Sequence, residues 1–516
     1  MFGGIMPFHS ILSDQLESEV ELNDSDIPQF FQDFNLDQVF QSIMEGFDEY
    51  NLKPFFVAPL NNVKTIAYRQ EILQDLEGET LRRHIDTFAE KIHYMREHLA
   101  RAEKVSYEDQ RERWFLDAVE IYCNTVKCLA DEISHLDVKS KGFQAFREYL
   151  KTYINSEHFK SLLDETKKIK NDLSSITYCI KIRQKKVTVK KYEVEPDYSS
   201  DIEVTFRKFQ QVAINDYQFI FPDSVKMNNI EEDIINRVAR LYPDIFQTLH
   251  DYYVKHQDYL DQTISRFDRE VQFYIAYLDF IEKIKLNGLK FCYPQVFDQS
   301  KEIHAYETFD LALANKLLQE DLTVVCNDFY LKDLERVFVV SGPNQGGKTT
   351  FARTFGQLHY LASLGYPVPG RKAQLFMYDQ LFTHFEKEEN IEDLRGKLQD
   401  ELVRIHDILK QATSNSIIII NEGFISTALN DALFLGREVL QQIIQRDILC
   451  VYVTFIDELS ILNDATVSMM STIIPENPTL RTYKVIRRPA DGRAYAISIA
   501  EKYELTYESL KRRIVK

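Results

Sequence analysis

The sequence predicts two kinds of structure in one chain: a mostly α-helical region with a small β element, residues 46–305, followed by an α/β domain, residues 306–516. Apolar residues recur in alternating steps of four and three along residues 81–99, which is the spacing of helices that pack on other helices. Beyond residue 306, short apolar runs alternate with helical stretches. One of these runs leads directly into a glycine-rich loop.

The composition is that of an ordinary globular protein with more than one domain. A chain of 516 residues is too long for a single core, and 44% hydrophobic with 28% charged residues is typical of a soluble fold. The N-terminus lacks the basic stretch and apolar core of a signal peptide, and no apolar run approaches the ~18 residues of a membrane span. The six cysteines are scattered, which favours reduced thiols. We therefore expect a soluble cytoplasmic protein without a membrane partner.

The charge balance limits how the chain could contact a polyanion. With 62 basic and 80 acidic residues the formal net charge is -18, so the molecule as a whole repels phosphates. Any contact with nucleic acid must therefore be made by a local basic patch.

The helical region follows an N-terminal segment, residues 1–45. Within that segment residues 13–26 are polar and acidic, which predicts a flexible lead-in. Three later stretches have the apolar spacing of packed helices: residues 81–99, 119–133 and 249–281. They indicate the long helices of a lever or bundle. On the last stretch we expect His256 to be a buried core residue.

A small β element interrupts the helices. Apolar and polar residues alternate, as they do in strands, at residues 180–182, 187–189 and 202–206. The first two strands and their connection carry six cations: Lys181, Arg183, Lys185, Lys186, Lys190 and Lys191. These cations are explained either by an edge strand that uses lysine against aggregation or by contact with the phosphate backbone of DNA. The residues alone leave both explanations open.

The α/β domain is predicted from apolar runs between helical stretches. Six runs have this character: residues 337–340, 374–378, 417–420, 450–453, 483–486 and 494–499. In Ile417–Ile420 the apolar residues do not alternate with polar ones, which predicts a strand covered on both faces.

The glycine-rich segment GPNQGGKT, residues 342–349, follows the strand-like run VFVV. It fits the phosphate-loop pattern G-x-x-x-x-G-K-[ST], between a strand and a helix predicted to begin near Thr350. Glycines let backbone N–H groups close around phosphates, Lys348 would reach the outer phosphates, and Thr349 would place its hydroxyl on Mg²⁺. We predict ATP binding by nine residues: Gly342, Pro343, Asn344, Gln345, Gly346, Gly347, Lys348, Thr349 and Thr350.

A second motif lies where the run Ile417–Ile420 ends, at Asn421 and Glu422. In phosphate-loop ATPases this strand end supplies a carboxylate to the magnesium shell, and the next acid orients or deprotonates the attacking water. Glu422 is therefore the candidate catalytic base. Asn421 stands where an aspartate is expected, and it could still accept a hydrogen bond from magnesium-bound water without contributing charge.

The loop GPNQGGKTT is similar to that of the MutS family, in which a Pro-Asn pair follows the first glycine. The similarity extends to VCND at 325–328, LGYPVPGRKAQL at 364–375, LFTHF at 381–385 and SIAEKYELTYESLKRRI near the C-terminus. It covers about the last 190 residues and, more loosely, the helical region from residue 55. The resemblance implies an ABC-type ATPase domain preceded by a lever domain. It also implies a head-to-tail homodimer in which a signature segment of the partner completes each ATP site.

The sequence departs from the family at three matched positions. Asn421 replaces the magnesium-shell aspartate, Gly396 stands where the signature segment has a serine, and Phe455 replaces a histidine that senses the γ-phosphate. Lys397, next to Gly396, could supply a cation to the partner's phosphate or could be an ordinary exposed helix charge. These departures predict slow ATP hydrolysis.

The resemblance does not extend to the family's mismatch-recognition domain, because only some 50 residues precede the helical region. The tripeptide Phe47-Asp48-Glu49 matches a mismatch-reading Phe-x-Glu but lacks a surrounding domain. We therefore expect a short MutS-like, dimeric, DNA-binding ATPase of the mismatch-repair or recombination type. The alternative is a degenerate ATPase that acts as a nucleotide-stabilised protein scaffold without binding DNA.

Overall fold

The computed structural model describes most of the chain, in two compact units. The described residues are 8–14, 27–184, 186–193, 229–386, 396–474 and 477–490, with 505, 507, 510 and 511. The first unit, which we call the helical unit, comprises residues 1–8, 78–138 and 143–268. The second, the sheet unit, comprises residues 9–77, 139–142 and 269–516. The predicted strands at 202–206 and 494–499 lie outside the described residues.

Fifteen helices and two short 3₁₀ segments are found in the described residues. The helices are α1 Phe30–Asp33, α2 Leu36–Met44, α3 Lys53–Val57, α4 Val63–Leu76, α5 Glu79–Lys104, α6 Glu108–Ser134, α7 Lys141–Asn155, α8 Glu157–Ser174, α9 Asn229–Leu241, α10 Pro243–Lys255, α11 Gln262–Lys285, α12 Leu311–Gln319, α13 Lys348–Ser363, α14 Lys397–Gln411 and α15 Leu429–Gln445. The 3₁₀ segments are Asp48–Tyr50 and Asp457–Ile461. Over the same residues, no helix combines the length and apolar character needed to cross a membrane.

Fourteen strands belong to the same described ranges. They are β1 Tyr178–Arg183, β2 Lys186–Lys191, β3 Phe291–Cys292, β4 Gln295–Phe297, β5 Ile303–Thr308, β6 Asn327–Leu331, β7 Val337–Ser341, β8 Val368–Pro369, β9 Lys372–Phe376, β10 Leu381–His384, β11 Ile417–Asn421, β12 Leu449–Val453, β13 Thr466–Ile474 and β14 Asn477–Arg487.

The helical unit is built around the two longest helices, α5 and α6, which pack against each other. The apolar positions that predicted α5 are buried in the structure: Leu81, Ile85, Phe88, Ile92 and Met95. An aromatic cluster closes the core where the ring of Phe267 stacks on Phe146, with 3.6 Å between centroids. Burial of these rings stabilises the unit, because each aromatic side chain removes a large apolar area from water.

The apolar stretch over residues 249–281 is two helices rather than one continuous helix. Helix α10 ends at Lys255 and α11 begins at Gln262. The break follows from Asp261, whose carboxylate accepts hydrogen bonds from the backbone N–H groups of Thr263 (2.9 Å) and Ile264 (3.0 Å) and so caps a new helix. His256 lies just past the end of α10, and it is buried as expected. Its Nε2 lies 2.8 Å from Glu165 Oε2.

The sheet unit contains a six-stranded sheet in the order β10-β11-β12-β7-β13-β14. The first five strands are mutually parallel and β14 pairs antiparallel at one edge. Strands β7 and β12 are buried along their whole length, as the unbroken apolar runs predicted. A second sheet has the order β4-β9-β5-β6, and β3 pairs with β8.

Ile11 and Leu12, which precede the predicted flexible stretch, pack within the sheet unit. The N–H of Ile11 donates to Glu270 Oε2 at 3.0 Å, and the hydroxyl of Tyr274 donates to the carbonyl of Ile11 at 2.6 Å. Arg69 Nε donates to the carbonyl of Leu12 at 2.9 Å. Of the predicted flexible stretch 13–26, only Ser13 and Asp14 are among the described residues.

The Phe267–Phe146 stack provides a stability test of the helical unit. Phe267→Ala is expected to lower its free energy of unfolding by about 3–5 kcal/mol, because the substitution leaves a cavity in a packed core. Urea unfolding followed by the fluorescence of Trp114, the single tryptophan of the chain, reports on this unit. The matched control is Val254→Ala, at a side chain that is 55% exposed. A loss below about 1 kcal/mol for Phe267→Ala would contradict this account of the core.

Candidate functional site

The glycine-rich loop, residues 342–347, connects the carboxyl end of β7 to the first residue of α13. Strand β7 lies inside the six-stranded sheet, between β12 and β13, and is parallel to both. Ligands of open α/β sheets bind at the carboxyl ends of such strands. Helix α13 begins at Lys348 rather than near Thr350, so its N-terminal amides and the positive end of its dipole face the loop.

Three glycines let this loop lie against its surroundings. Gly342 (φ 114°) and Gly347 (φ 94°) have left-handed backbone conformations that side chains rarely adopt. Gly346 is required for a different reason, since a Cβ there would lie 2.4 Å from Ser471 Oγ and 2.9 Å from the carbonyl oxygen of Pro343. The loop thus lies against β13, and at these three positions its backbone carries no side chain.

Lys348 is a nearly buried cation folded onto the loop. Its side chain is only 4% exposed, and Nζ donates to the carbonyls of Gly342 (3.0 Å) and Pro343 (3.2 Å). The ring of Phe455 lies 4.3 Å from Nζ, a cation–π distance. Burial lowers the pKa of Lys348 to about 8, although the Glu422 carboxylate acts in the opposite direction.

Thr349 and Asn421 are brought together from different elements. Thr349 is the second residue of α13 and Asn421 ends β11, yet Thr349 Oγ1 donates to Asn421 Oδ1 at 3.0 Å. Hydroxyl and amide oxygens are ligands of the kind Mg²⁺ accepts, and this ion commonly keeps waters and substrate phosphates as its other ligands. The pair therefore fits a magnesium ion held jointly with a nucleotide.

Glu422 follows Asn421 in an unusual backbone conformation. Its φ is 60°, in the left-handed region, and its N–H donates to the carbonyl of Val453 at 3.0 Å. Non-glycine residues in this region are strained and concentrate at functional sites. Burial raises the pKa of Glu422, nearby Lys348 lowers it, and Glu386 adds to the rise. A partly buried carboxyl with a raised pKa suits a group that accepts a proton.

The signature segment, expected at residues 390–402, is described from Gly396 onward. Residues 390–395 lie outside the described residues, and Gly396 precedes α14 with no side-chain cap. A Cβ at Gly396 would meet no atom within 4 Å. Lys397 Nζ donates to Glu386 Oε1 at 2.5 Å, so this cation already has an acidic neighbour within its own chain.

The structure adds one residue that motif reasoning missed. Arg481, on the edge strand β14, donates from Nε to the carbonyl of Asn344 at 3.1 Å and contributes to the lowered pKa of Lys348. No local signal identifies it, because it is more than 130 residues from the loop in sequence. Asn344 itself is positioned by the loop, with Oδ1 accepting from Lys348 Nζ at 3.4 Å. Gln345 has a left-handed φ of 57°.

The cationic strands form an antiparallel hairpin in the helical unit. Arg183 pairs with Lys186 and Cys179 with Lys190, and directly paired residues share one face of a hairpin. Four exposed cations therefore share a face: Lys181, Arg183, Lys186 and Lys190. Lys191 belongs to the opposite face, and its Nζ lies 4.7 Å from the ring centroid of Tyr242. Lys185 lies outside the described residues.

Comparison with known proteins agrees with the fold of the sheet unit. Residues 338–513 match the family model of MutS domain V. The chain is 23% identical over 298 residues to the DNA mismatch repair protein MutS of Thermotoga maritima, which covers 57% of this chain and 36% of that protein. It is 25% identical over 303 residues to the protein of the same name from Rickettsia bellii. That match covers 56% of this chain and 32% of the Rickettsia protein.

A differently named relative matches over a shorter range. The chain is 29% identical over 202 residues to Endonuclease MutS2 of Gemmatimonas aurantiaca, covering 38% of this chain and 24% of that protein. In all three comparisons the match spans little more than a third of the relative's length or less. The domain match over residues 338–513 and the relatives named MutS, which match somewhat more than half of the chain, support membership of the MutS family.

Proposed function

We propose that the protein is an ATP-binding, DNA-binding homodimer that acts in DNA mismatch repair or a related process and hydrolyses ATP slowly. The observation that carries this proposal is the arrangement at the glycine-rich loop. Lys348 is folded onto the loop, and Thr349 Oγ1 lies 3.0 Å from Asn421 Oδ1. The charge of Lys348 lowers the pKa of Glu422. Three functions of a phosphate-loop ATPase thus have candidate residues in one place.

In this proposal the loop's N–H groups and the N-terminus of α13 bind the phosphates of ATP. Lys348 exchanges its bonds to the carbonyls of Gly342 and Pro343 for bonds to phosphate oxygens, which are stronger because both partners are charged. Thr349 and Asn421 would hold Mg²⁺, which when bound neutralises charge on the transferring phosphoryl group. Glu422 accepts the proton of the attacking water.

Slow hydrolysis follows from the side chains at this site. Asn421 offers a neutral oxygen where a carboxylate would bind Mg²⁺ more tightly. Phe455 contacts Lys348 through its ring and has no hydrogen-bond donor for a γ-phosphate. Gly396 likewise brings no hydroxyl. Each change removes a charge or a polar group that could stabilise the transition state.

The homodimer is supported by exposed apolar side chains in the sheet unit. Leu429 and Phe434 of α15 are 69% and 61% exposed, and Ile461 of a contacting 3₁₀ segment is 77% exposed. Large apolar side chains exposed on neighbouring elements are available for a protein interface. In the proposed dimer, the amides after Gly396 and the charge of Lys397 would face the partner's nucleotide.

The proposed catalytic role predicts a separation of binding from turnover. Glu422→Gln keeps the shape of the side chain and removes its basicity, so turnover should fall by about 100-fold or more while ATP affinity is kept. Steady-state phosphate release and calorimetric ATP titration measure the two quantities. If Glu422→Gln hydrolysed ATP at the wild-type rate, another group would have to activate the water.

Asn421→Asp is the companion variant and should accelerate turnover, because it restores charge to the metal site.

The hairpin predicts a salt-dependent contribution to DNA binding. Replacing Lys181, Arg183, Lys186 and Lys190 together with Gln should weaken binding to duplexes of any sequence. The logarithm of affinity falls with that of salt by ~0.9 per phosphate contact, so the slope should flatten by up to about three or four. The matched control is Lys191→Gln, a lysine of the opposite face. An unchanged slope with unchanged melting temperature would assign the four cations to edge protection and favour a scaffold.

A further inference from the structure

The short helix α1 connects two elements of the proposed ATP site within the sheet unit. The carbonyl of Asp33 accepts from Arg353 Nε at 2.9 Å, and the carbonyl of Phe34 accepts from Gln357 Nε2 at 2.8 Å. Both donors belong to α13. The carboxylate of Asp33 contacts the other element, since Oδ2 accepts from Thr383 Oγ1 of β10 at 2.5 Å. Asp33 thus links α13 to the edge strand of the main sheet.

Phe34 occupies a socket that a glycine keeps open. Its side chain is fully buried, and a Cβ at Gly356 would lie 2.3 Å from Phe34 Cζ. Gly356 is inside α13, where glycine weakens a helix by about 1 kcal/mol relative to alanine. The other wall is Phe385, directly after β10, whose ring centroid is 6.2 Å from that of Phe34. The socket therefore also involves α13 and β10.

These two elements lead to different parts of the proposed ATP site. Helix α13 begins at Lys348. Strand β10 leads through Phe385 to Glu386, whose Oε1 accepts from Lys397 Nζ at the start of α14. The charge of Glu386 also acts on Glu422. A shift of β10 relative to α13 would therefore move Glu386 relative to Lys348, Lys397 and the proposed base.

Different side chains of the N-terminal segment anchor it to α13 and contact β10. Three rings pack around Tyr360: Phe30 (5.5 Å between centroids), Phe31 (5.2 Å) and Phe40 (6.0 Å). These rings hold the segment on the body of α13. The carboxylate of Asp33 is only partly buried, so its hydrogen bond to Thr383 can be removed while the anchoring rings stay in place.

We propose that Asp33 and Phe34 are positioning residues for ATP hydrolysis, which fix β10 and the Glu386–Lys397 pair relative to the helix that carries the phosphate loop. The inference rests on the proposed function for its effect on turnover. Its structural part, the restraint of residues 381–386 by the N-terminal segment, does not depend on ATP.

The test compares Asp33→Ala, Thr383→Val and the double variant in the full chain, with Asp37→Ala as control. Asp37 is an exposed acid of the adjoining helix α2. Each single change should lower kcat for ATP hydrolysis by about tenfold, because small misplacements of reacting groups are costly. KM and the calorimetric affinity for MgATP should stay within about twofold, since the loop is untouched. The double variant should lose no more than either single one, because both remove the same interaction.

Two further variants separate positioning from general stability. Thr383→Ser keeps the hydroxyl and should retain most of the turnover that Thr383→Val loses. Gly356→Ala improves helix propensity but fills the socket of Phe34, so it should lower kcat, and adding Phe34→Leu should recover part of the loss. Wild-type kcat in Asp33→Ala and Thr383→Val would overturn the proposal. So would losses that multiply in the double variant, or an affinity loss that parallels kcat.

Hydrogen exchange on the ATP-free chain decides the structural part separately. Amides of residues 381–386 should exchange faster in Asp33→Ala and Thr383→Val than in wild type or Asp37→Ala. Unchanged exchange there would overturn the proposed restraint. If the wild-type chain bound no ATP, the proposed function would fail, and faster exchange in the two variants would still support the positioning contact.

Discussion

The burial of one ammonium group constrains the whole candidate site. Lys348 is 4% exposed, and a buried cation is costly unless polar groups or aromatic faces surround it. Here loop carbonyls accept hydrogen bonds from it, the Phe455 ring lies against it, and the Glu422 carboxylate lies near enough to affect its pKa. These partners come from the loop after β7, from the segment after β12 and from the residue that follows β11. The order of strands in the central sheet is what makes their convergence possible.

The same constraint gives a physical meaning to the departures from the family pattern. A neutral aromatic ring at position 455 stabilises the ammonium of Lys348 by a cation–π contact, whereas a protonated histidine there would repel it. Asn421 keeps an oxygen in contact with Thr349 but adds no negative charge beside Glu422. Both departures suit a site in which Lys348 is held firmly on the loop and ATP is hydrolysed slowly.

Much of the fold could be predicted from sequence because the relevant patterns are local. The runs before Gly342 and Asn421 and the run at 450–453 are strands of the central sheet, since parallel strands covered on both faces are continuously apolar. The spacing over residues 81–99 likewise corresponds to α5. The break between α10 and α11 was missed because a single aspartate cap, Asp261, interrupts an otherwise regular apolar pattern.

What could not be predicted depends on contacts between distant parts of the chain. Nothing local to Asp33 shows that it contacts Thr383, 350 residues later, or that Gly356 is a glycine because Phe34 fills its space. Arg481 contacts the loop for the same long-range reason. Which cations of the hairpin share a face could not be predicted without the register of its strands. The pairing of Arg183 with Lys186 determines that grouping.

The most direct test of the central claim is calorimetric titration of MgATP into the wild type, Lys348→Ala and Lys348→Arg at pH 8.5. With the pKa of Lys348 lowered to about 8 by burial, part of the free protein lacks the ammonium charge at this pH. Bound phosphates favour the charged form and raise that pKa again, so binding to the wild type should take up protons. Buffers of different ionisation enthalpy reveal this uptake. Lys348→Arg, which is always charged, should bind without it.

Lys348→Ala should bind ATP weaker by about 100-fold or more, because charge-assisted hydrogen bonds to the phosphates are lost. Equal affinity of Lys348→Ala and wild type, without proton uptake in either, would contradict the assignment of this loop as the ATP site.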